Sequence, residues 1–254
     1  MLKNRVVPFL LVRDHGLVKT RQFDVATYVG DPINAIRIFN EKEVDELAIV
    51  DIGATAGGLG PNLELVRDVA SECFMPLAYG GGIRSRDDAE HVFGLGVEKV
   101  VVRSAALADL RVVTAIAAVT GSQSVAVSVD IRRRLGRPRL YAPRSAGHNE
   151  SDWLGFLRRA VEAGAGEIVL NSVDRDGTMS GVDTRLIEEA AAASTVPLMA
   201  VGGVGCIQDI RTAVDAGADA VGVGAFFVFH GPRRAVLITY PSYAELDKLL
   251  SDAA

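Results

Sequence analysis

Two glycine pairs end two apolar runs, and four charged residues stand at the starts of others. Met75-Pro-Leu-Ala-Tyr-Gly-Gly-Gly-Ile83 is matched by Val196-Pro-Leu-Met-Ala-Val-Gly-Gly-Val204, which aligns Gly81 and Gly82 with Gly202 and Gly203. Glycine at a strand end lets backbone N–H groups approach a phosphate, and a following helix start adds a favourable dipole. The same glycines also suit tight strand-to-helix turns, so anion binding and turn-making are both open readings. Asp174-Arg-Asp-Gly-Thr178 adds turn formers with spare backbone donors, Asp176 and Gly177 among them. A plain polar loop reads equally well there.

Arg5, Glu46 and Glu167 begin three of the apolar runs, and Lys99 is the second residue of a fourth. Pointing inward, they would set two cations against two anions, and charges taken out of water need such pairing. A structural plug is the simpler reading of that arrangement. Ile131-Arg-Arg-Arg-Leu-Gly-Arg-Pro-Arg-Leu-Tyr141, with Arg144 beyond it, is the basic cluster of the chain. It reads as a solvated hairpin, or as an electropositive lip suited to an acidic protein surface, a uronate or a diphosphate. His15, His91, His148 and His230 lack ligand spacing, so neither a metal nor any other cofactor is expected.

These residues need a frame that gathers strand ends. Eight apolar runs, at 5–12, 46–52, 76–80, 98–102, 124–130, 167–172, 198–202 and 219–224, read as strands. Helical-period segments at 32–42, 62–72, 86–95 and 152–163 fall between them, and a last helix is expected at 242–250. Such alternation implies βαβ units and a parallel sheet. The glycine pairs lie 121 positions apart (203 − 82), as do Gly96 and Gly217, which predicts an internal duplication. A (β/α)8 barrel follows, spanning 1–254 as a single domain with half-barrels at about 1–123 and 124–254. At 254 residues the chain has the usual length for that fold. With 49% hydrophobic and 6% aromatic residues, it suits aliphatic packing of strands buried on both faces.

A net charge of −5 gives no footprint for nucleic acid. Cys73 and Cys206 form no metal spacing and point to a reducing, cytoplasmic setting. Neither a signal-like apolar leader nor a membrane-length apolar stretch is present in the sequence.

Val6-Val-Pro8, Gly30-Asp-Pro32, Asp51-Ile52, Gly80-Gly-Gly-Ile83, Gly121-Ser-Gln123, Asp130, Asp174-Arg-Asp-Gly-Thr178 and Gly217-Ala-Asp219 together carry a family resemblance. The chain resembles the cyclase subunit of imidazole glycerol phosphate synthase almost from end to end. The resemblance implies a TIM barrel of the ribulose-phosphate-binding type. It also implies a phosphate-bearing ligand, held by Gly81, Gly82 and Ser104 in one half and by Asp176, Gly177, Gly202 and Gly203 in the other. A glutaminase would dock at the barrel floor near Glu98 and Gln123, and Arg5, Glu46, Lys99 and Glu167 would form the ammonia gate.

The family's cyclase uses two aspartates, at the ends of the first and fifth strands, and a proton donor opposite a proton acceptor suits ring closure. The resemblance puts Asp130 in the second role and Leu11 in place of the first acid. Leucine does not titrate, and Asp14 or His15 would be the substitute base. Arg103 stands where the family has asparagine, and Ala225 where it has serine. Leu17-Val-Lys-Thr20 and the segment Tyr28-Val-Gly-Asp-Pro32 onward to Leu47 are similar to cyclase paralogues of surface-polysaccharide gene clusters, the acetamidino-modification proteins. That resemblance implies ammonia passed from a glutaminase to an ATP-dependent sugar amidotransferase. A histidine-pathway cyclase and a non-conducting scaffold are the alternatives.

Overall fold

The computed structural model describes residues 4–141 and 151–251. Its strands are β1 (Arg5–Arg13), β2 (Gly16–Lys19), β3 (Thr27–Gly30), β4 (Leu47–Asp51), β5 (Leu77–Gly80), β6 (Lys99–Val102) and β7 (Val125–Arg134). They continue with β8 (Arg137–Leu140), β9 (Glu167–Ser172), β10 (Leu198–Val201), β11 (Ala220–Val223), β12 (Phe229–His230) and β13 (Ala235–Val236). Eight of them run parallel in the order β1, β4, β5, β6, β7, β9, β10, β11. Pairing of Arg5–Pro8 with Ala220–Val223 closes the sheet into the (β/α)8 barrel. The expected strand positions hold to within a residue or two, except that β7 runs on to Arg134.

Side-chain alternation divides the core in two. Outward residues of the strands meet the apolar stripes of the helices, for example Ala35, Ile36 and Phe39 on Pro32–Glu41. Inward residues form a second cluster that includes Val7, Phe9, Leu11, Ala48, Ala78, Val101, Ala126, Val169, Met199 and Ala220. Helix starts are fixed by side chains: Asp31, Asn62, Ser85, Asp152 and Asp183 each accept from a backbone N–H of their own helix. Each satisfies one of the donors that a helix N-terminus leaves open.

The 121-residue spacing recurs in two pairs of contacts. Leu77 N–H donates to Glu98 Oε2 at 2.7 Å, and Leu198 N–H to Asp219 Oδ2 at 2.9 Å. Arg84 N–H donates to Asp88 Oδ2 at 2.9 Å, and Gly205 N–H to Asp209 Oδ2 at 2.8 Å. Each bond in the second half has a partner at the same offset in the first. Glu98→Ala and Asp219→Ala should therefore destabilise by similar amounts, about 1 kcal/mol each. Matched denaturation curves check this, and a clear effect at only one position would show that the halves have diverged there.

The additions to the barrel are hairpins at its carboxyl end. β2 and β3 extend the sheet from β1 antiparallel, and β8 folds back on β7. Leu135 (φ 52°) and Gly136 (φ 74°) turn the β7–β8 hairpin, a two-residue connection that needs positive φ at both positions. The basic cluster is thus a hairpin, with Arg144 and His148 outside the described residues.

Candidate functional site

The four charges at the strand starts converge. Arg5 heads β1, Lys99 heads β6, Glu167 heads β9, and Glu46 immediately precedes β4. The parity that turns Val7, Phe9 and Leu11 inward also turns Arg5 inward. Its guanidinium bonds both Glu46 and Glu167. Lys99 Nζ donates to Glu46 Oε1 at 2.9 Å and to Glu167 Oε2 at 2.6 Å. The result is a closed ring of alternating charge across the barrel floor. Glu98 and Gln123 lie on this same face and are exposed. Glu98 is tied to the Leu77 N–H, and Gln123 Nε2 donates to the Thr120 carbonyl at 3.3 Å. Phe74, also at this end and 86% exposed, carried no pattern that would single it out in the sequence.

At the opposite end, Leu11 and Asp130 face inward from the first and fifth barrel strands. Leu11 is 8% exposed and belongs to the inner apolar cluster. Asp130 is buried, receives the Ser128 hydroxyl at 2.8 Å, and forms an ion pair with Arg103 Nε. Burial pushes its carboxyl above the ordinary carboxylate range, while Arg103 and Ser128 pull it back. Arg103 also donates to the Tyr141 carbonyl. The Tyr141 ring lies under Arg132 at 4.3 Å and meets Phe23 edge-on at 5.5 Å. Asp14 and His15 occupy the β1–β2 turn, both exposed and both with positive φ.

The glycine pairs sit at the mouth, and their identity has a packing cause. A Cβ on Gly81 would lie 2.5 Å from the Asp51 carbonyl oxygen, and one on Gly202 would lie 2.8 Å from that of Ser172. On Gly82 it would lie 2.4 Å from the Gly60 oxygen, and on Gly203 2.2 Å from the Gly181 oxygen. The chain crossings alone exclude a side chain, so glycine here is required with or without an anion. Ser104 begins a short helix, Ser104–Ala108, just after Arg103.

The second half carries a pocket whose lining includes Lys19, Asp176, Gly177, Gly202, Gly203, Gly224 and Ala225. Lys19 Nζ donates to Asp176 Oδ1 at 3.1 Å, and the Thr20 hydroxyl to Asp176 Oδ2 at 2.7 Å. Lys19 ends β2 with little solvent exposure; its motif, Leu17-Val-Lys-Thr20, points to a family but assigns it no site role. Asn171 Oδ1, at the end of β9, is buried without a hydrogen-bond partner. Among the described residues, no three of His, Cys, Asp and Glu gather as a metal site, and no helix is long and apolar enough to cross a membrane.

Comparison with known proteins agrees with this architecture. The family model described as "Histidine biosynthesis protein" matches residues 5–232. A Pseudomonas aeruginosa protein, named provisionally as imidazole glycerol phosphate synthase subunit hisF2, is 49% identical over 97% of this chain and 99% of its own. A Vibrio vulnificus protein, provisionally subunit hisF3, is 44% identical over 98% and 97%. The imidazole glycerol phosphate synthase subunit HisF of Hyphomonas neptunium is 40% identical over 90% and 91%. The closed barrel and these similarities together show that the chain belongs to the histidine biosynthesis protein family as a HisF-like barrel.

Proposed function

We propose that this barrel is the synthase-side subunit of a glutamine amidotransferase system whose ring-closing chemistry has been lost. It binds a glutaminase at its floor, takes ammonia through the charged ring, and delivers it at the mouth to a sugar-modifying amidotransferase. Acetamidino-sugar formation in surface-polysaccharide biosynthesis is the pathway that the narrower resemblance supports. The observation that carries the reading is at the mouth: Leu11 faces inward where an acid is required, and Arg103 claims the remaining carboxylate of Asp130. An acid–base pair for ring closure needs two titratable groups flanking the substrate. The floor, by contrast, keeps all four ring residues, and Phe74, Glu98 and Gln123 offer an exposed docking face beside it.

The histidine-pathway cyclase remains the second reading, favoured by the likeness to HisF proteins and by the presence of Asp130. Purified protein given the nucleotide substrate of imidazole glycerol phosphate synthase and an ammonium salt separates the two. The expected result is no imidazole glycerol phosphate above the enzyme-free background. Product formation abolished by Asp130→Asn would reverse the conclusion. The Leu11→Asp, Arg103→Asn double variant, which supplies the missing acid and frees the other, is expected to show measurable turnover.

A further inference from the structure

Arg103 is placed between the Gly81–Gly82 turn and the Asp130 carboxylate. The parallel register pairs Gly80 with Val101, so Gly81 and Gly82 leave β5 abreast of the end of β6, where Arg103 follows Val102. On the other side β6 pairs with β7, whose Asp130 holds the Arg103 guanidinium. The Arg103 side chain keeps 27% of its exposure while that of Asp130 keeps 4%. The cation can therefore turn toward solvent, whereas the carboxylate cannot leave the barrel.

We propose that Arg103 is a shared cation. It pairs with Asp130 until a phosphate monoester enters beside Gly81 and Gly82, and the phosphate then takes the guanidinium from the aspartate. Arginine forms bidentate bonds with phosphate as with carboxylate, and Asp130, left buried with only the Ser128 hydroxyl, takes up a proton as the guanidinium leaves, because an unpaired buried charge is costly. Transfer would also release the Arg103 bond to the Tyr141 carbonyl, while Tyr141 N–H keeps its own bond to the Asp130 carbonyl at 2.8 Å. The proposal rests on Gly81 and Gly82 lining an anion position, and is independent of which enzyme receives the ammonia.

The test is a double-mutant cycle with inorganic phosphate and glycerol phosphate as probes. It is read site by site from the backbone amide shifts of Gly81 and Gly82, with Gly202 and Gly203 as the internal comparison. Asp130→Asn removes the competitor and should tighten binding at Gly81 and Gly82 by about tenfold, the scale of one charge-assisted hydrogen bond. Binding at Gly202 and Gly203 should hold within about twofold. Arg103→Asn should weaken the first site, and adding Asp130→Asn to it should restore nothing. Asp130→Asn without effect at Gly81 and Gly82 overturns the exchange. So does tightening that persists without Arg103, because removal of a negative charge would then suffice. If the amides of Gly81 and Gly82 respond to phosphate in no variant, the anion position itself is wrong and the exchange falls with it. Arg103→Lys, which keeps the charge but loses the fork, should fall between wild type and Arg103→Asn, and guards against a misfolded Asn variant.

Discussion

Glu167→Leu should lower the stability of the barrel by about 3–5 kcal/mol, the cost of breaking a buried ion pair from one side. Glu167 is 3% exposed and accepts from both cations of the floor ring. Its loss leaves Arg5 and Lys99 facing a single Glu46. Arg5 keeps 30% of its side-chain exposure and can turn toward water, but Lys99, at 17%, is more confined. Removing the partners together should be milder: the Glu167→Leu, Lys99→Leu pair restores charge balance and should cost less than the two single changes summed. Urea denaturation followed by circular dichroism measures all three. A single-variant cost below about 1 kcal/mol would mean that water already screens the ring as it does a surface pair.

The second large effect concerns the glycines at the mouth. Gly203 has φ +106° and Gly82 φ +72°, and each would drive a Cβ into the carbonyl of a crossing chain. Alanine at either position adds backbone strain to a clash that only a loop displacement relieves, and about 3 kcal/mol or more is expected. Their neighbours across the crossing provide the contrast. Gly181 has φ +90° but its Cβ would meet only the Asp209 carboxylate at 3.7 Å, so Gly181→Ala should cost about 1 kcal/mol from strain alone. Gly60→Ala, with nothing nearer than the Arg84 guanidinium at 3.7 Å, should be close to neutral. Thermal midpoints of the four variants should fall in that order. Equal losses at Gly203 and Gly181 would show that the 177–181 loop yields easily.

The parallel strands were legible because strands covered on both faces read as continuous valine-rich runs, such as Lys99–Val102 and Ala220–Val223. The hairpins were less so. Residues Arg132–Arg134 continue β7 without any apolar signal, since their strand is held by pairing with Arg137–Leu140 and by the Arg133 bonds to Asp183. The floor charges were visible as residue types, but only the inward parity of β1 made them a ring. At the mouth, Leu11 and Arg103 each stood out as a departure from the family pattern. Their joint meaning was hidden, because nothing in the spacing of Arg103 and Asp130 says that they touch. The glycine pairs suggested ligand chemistry, and the chain crossings supply a sufficient reason of their own.

Between the floor ring and the mouth lies the inner cluster, where Ala48, Ala78, Ala126 and Ala220 face Val7, Val101 and Val169. No charged group belongs to it. A neutral polar solute the size of water gives up hydrogen bonds on entering such a layer, at a cost of about 2–7 kcal/mol, whereas its protonated form sheds far more hydration that these side chains do not replace. The layer therefore opposes a protonated solute more than a neutral one, so under the proposed function ammonia would cross it without its extra proton.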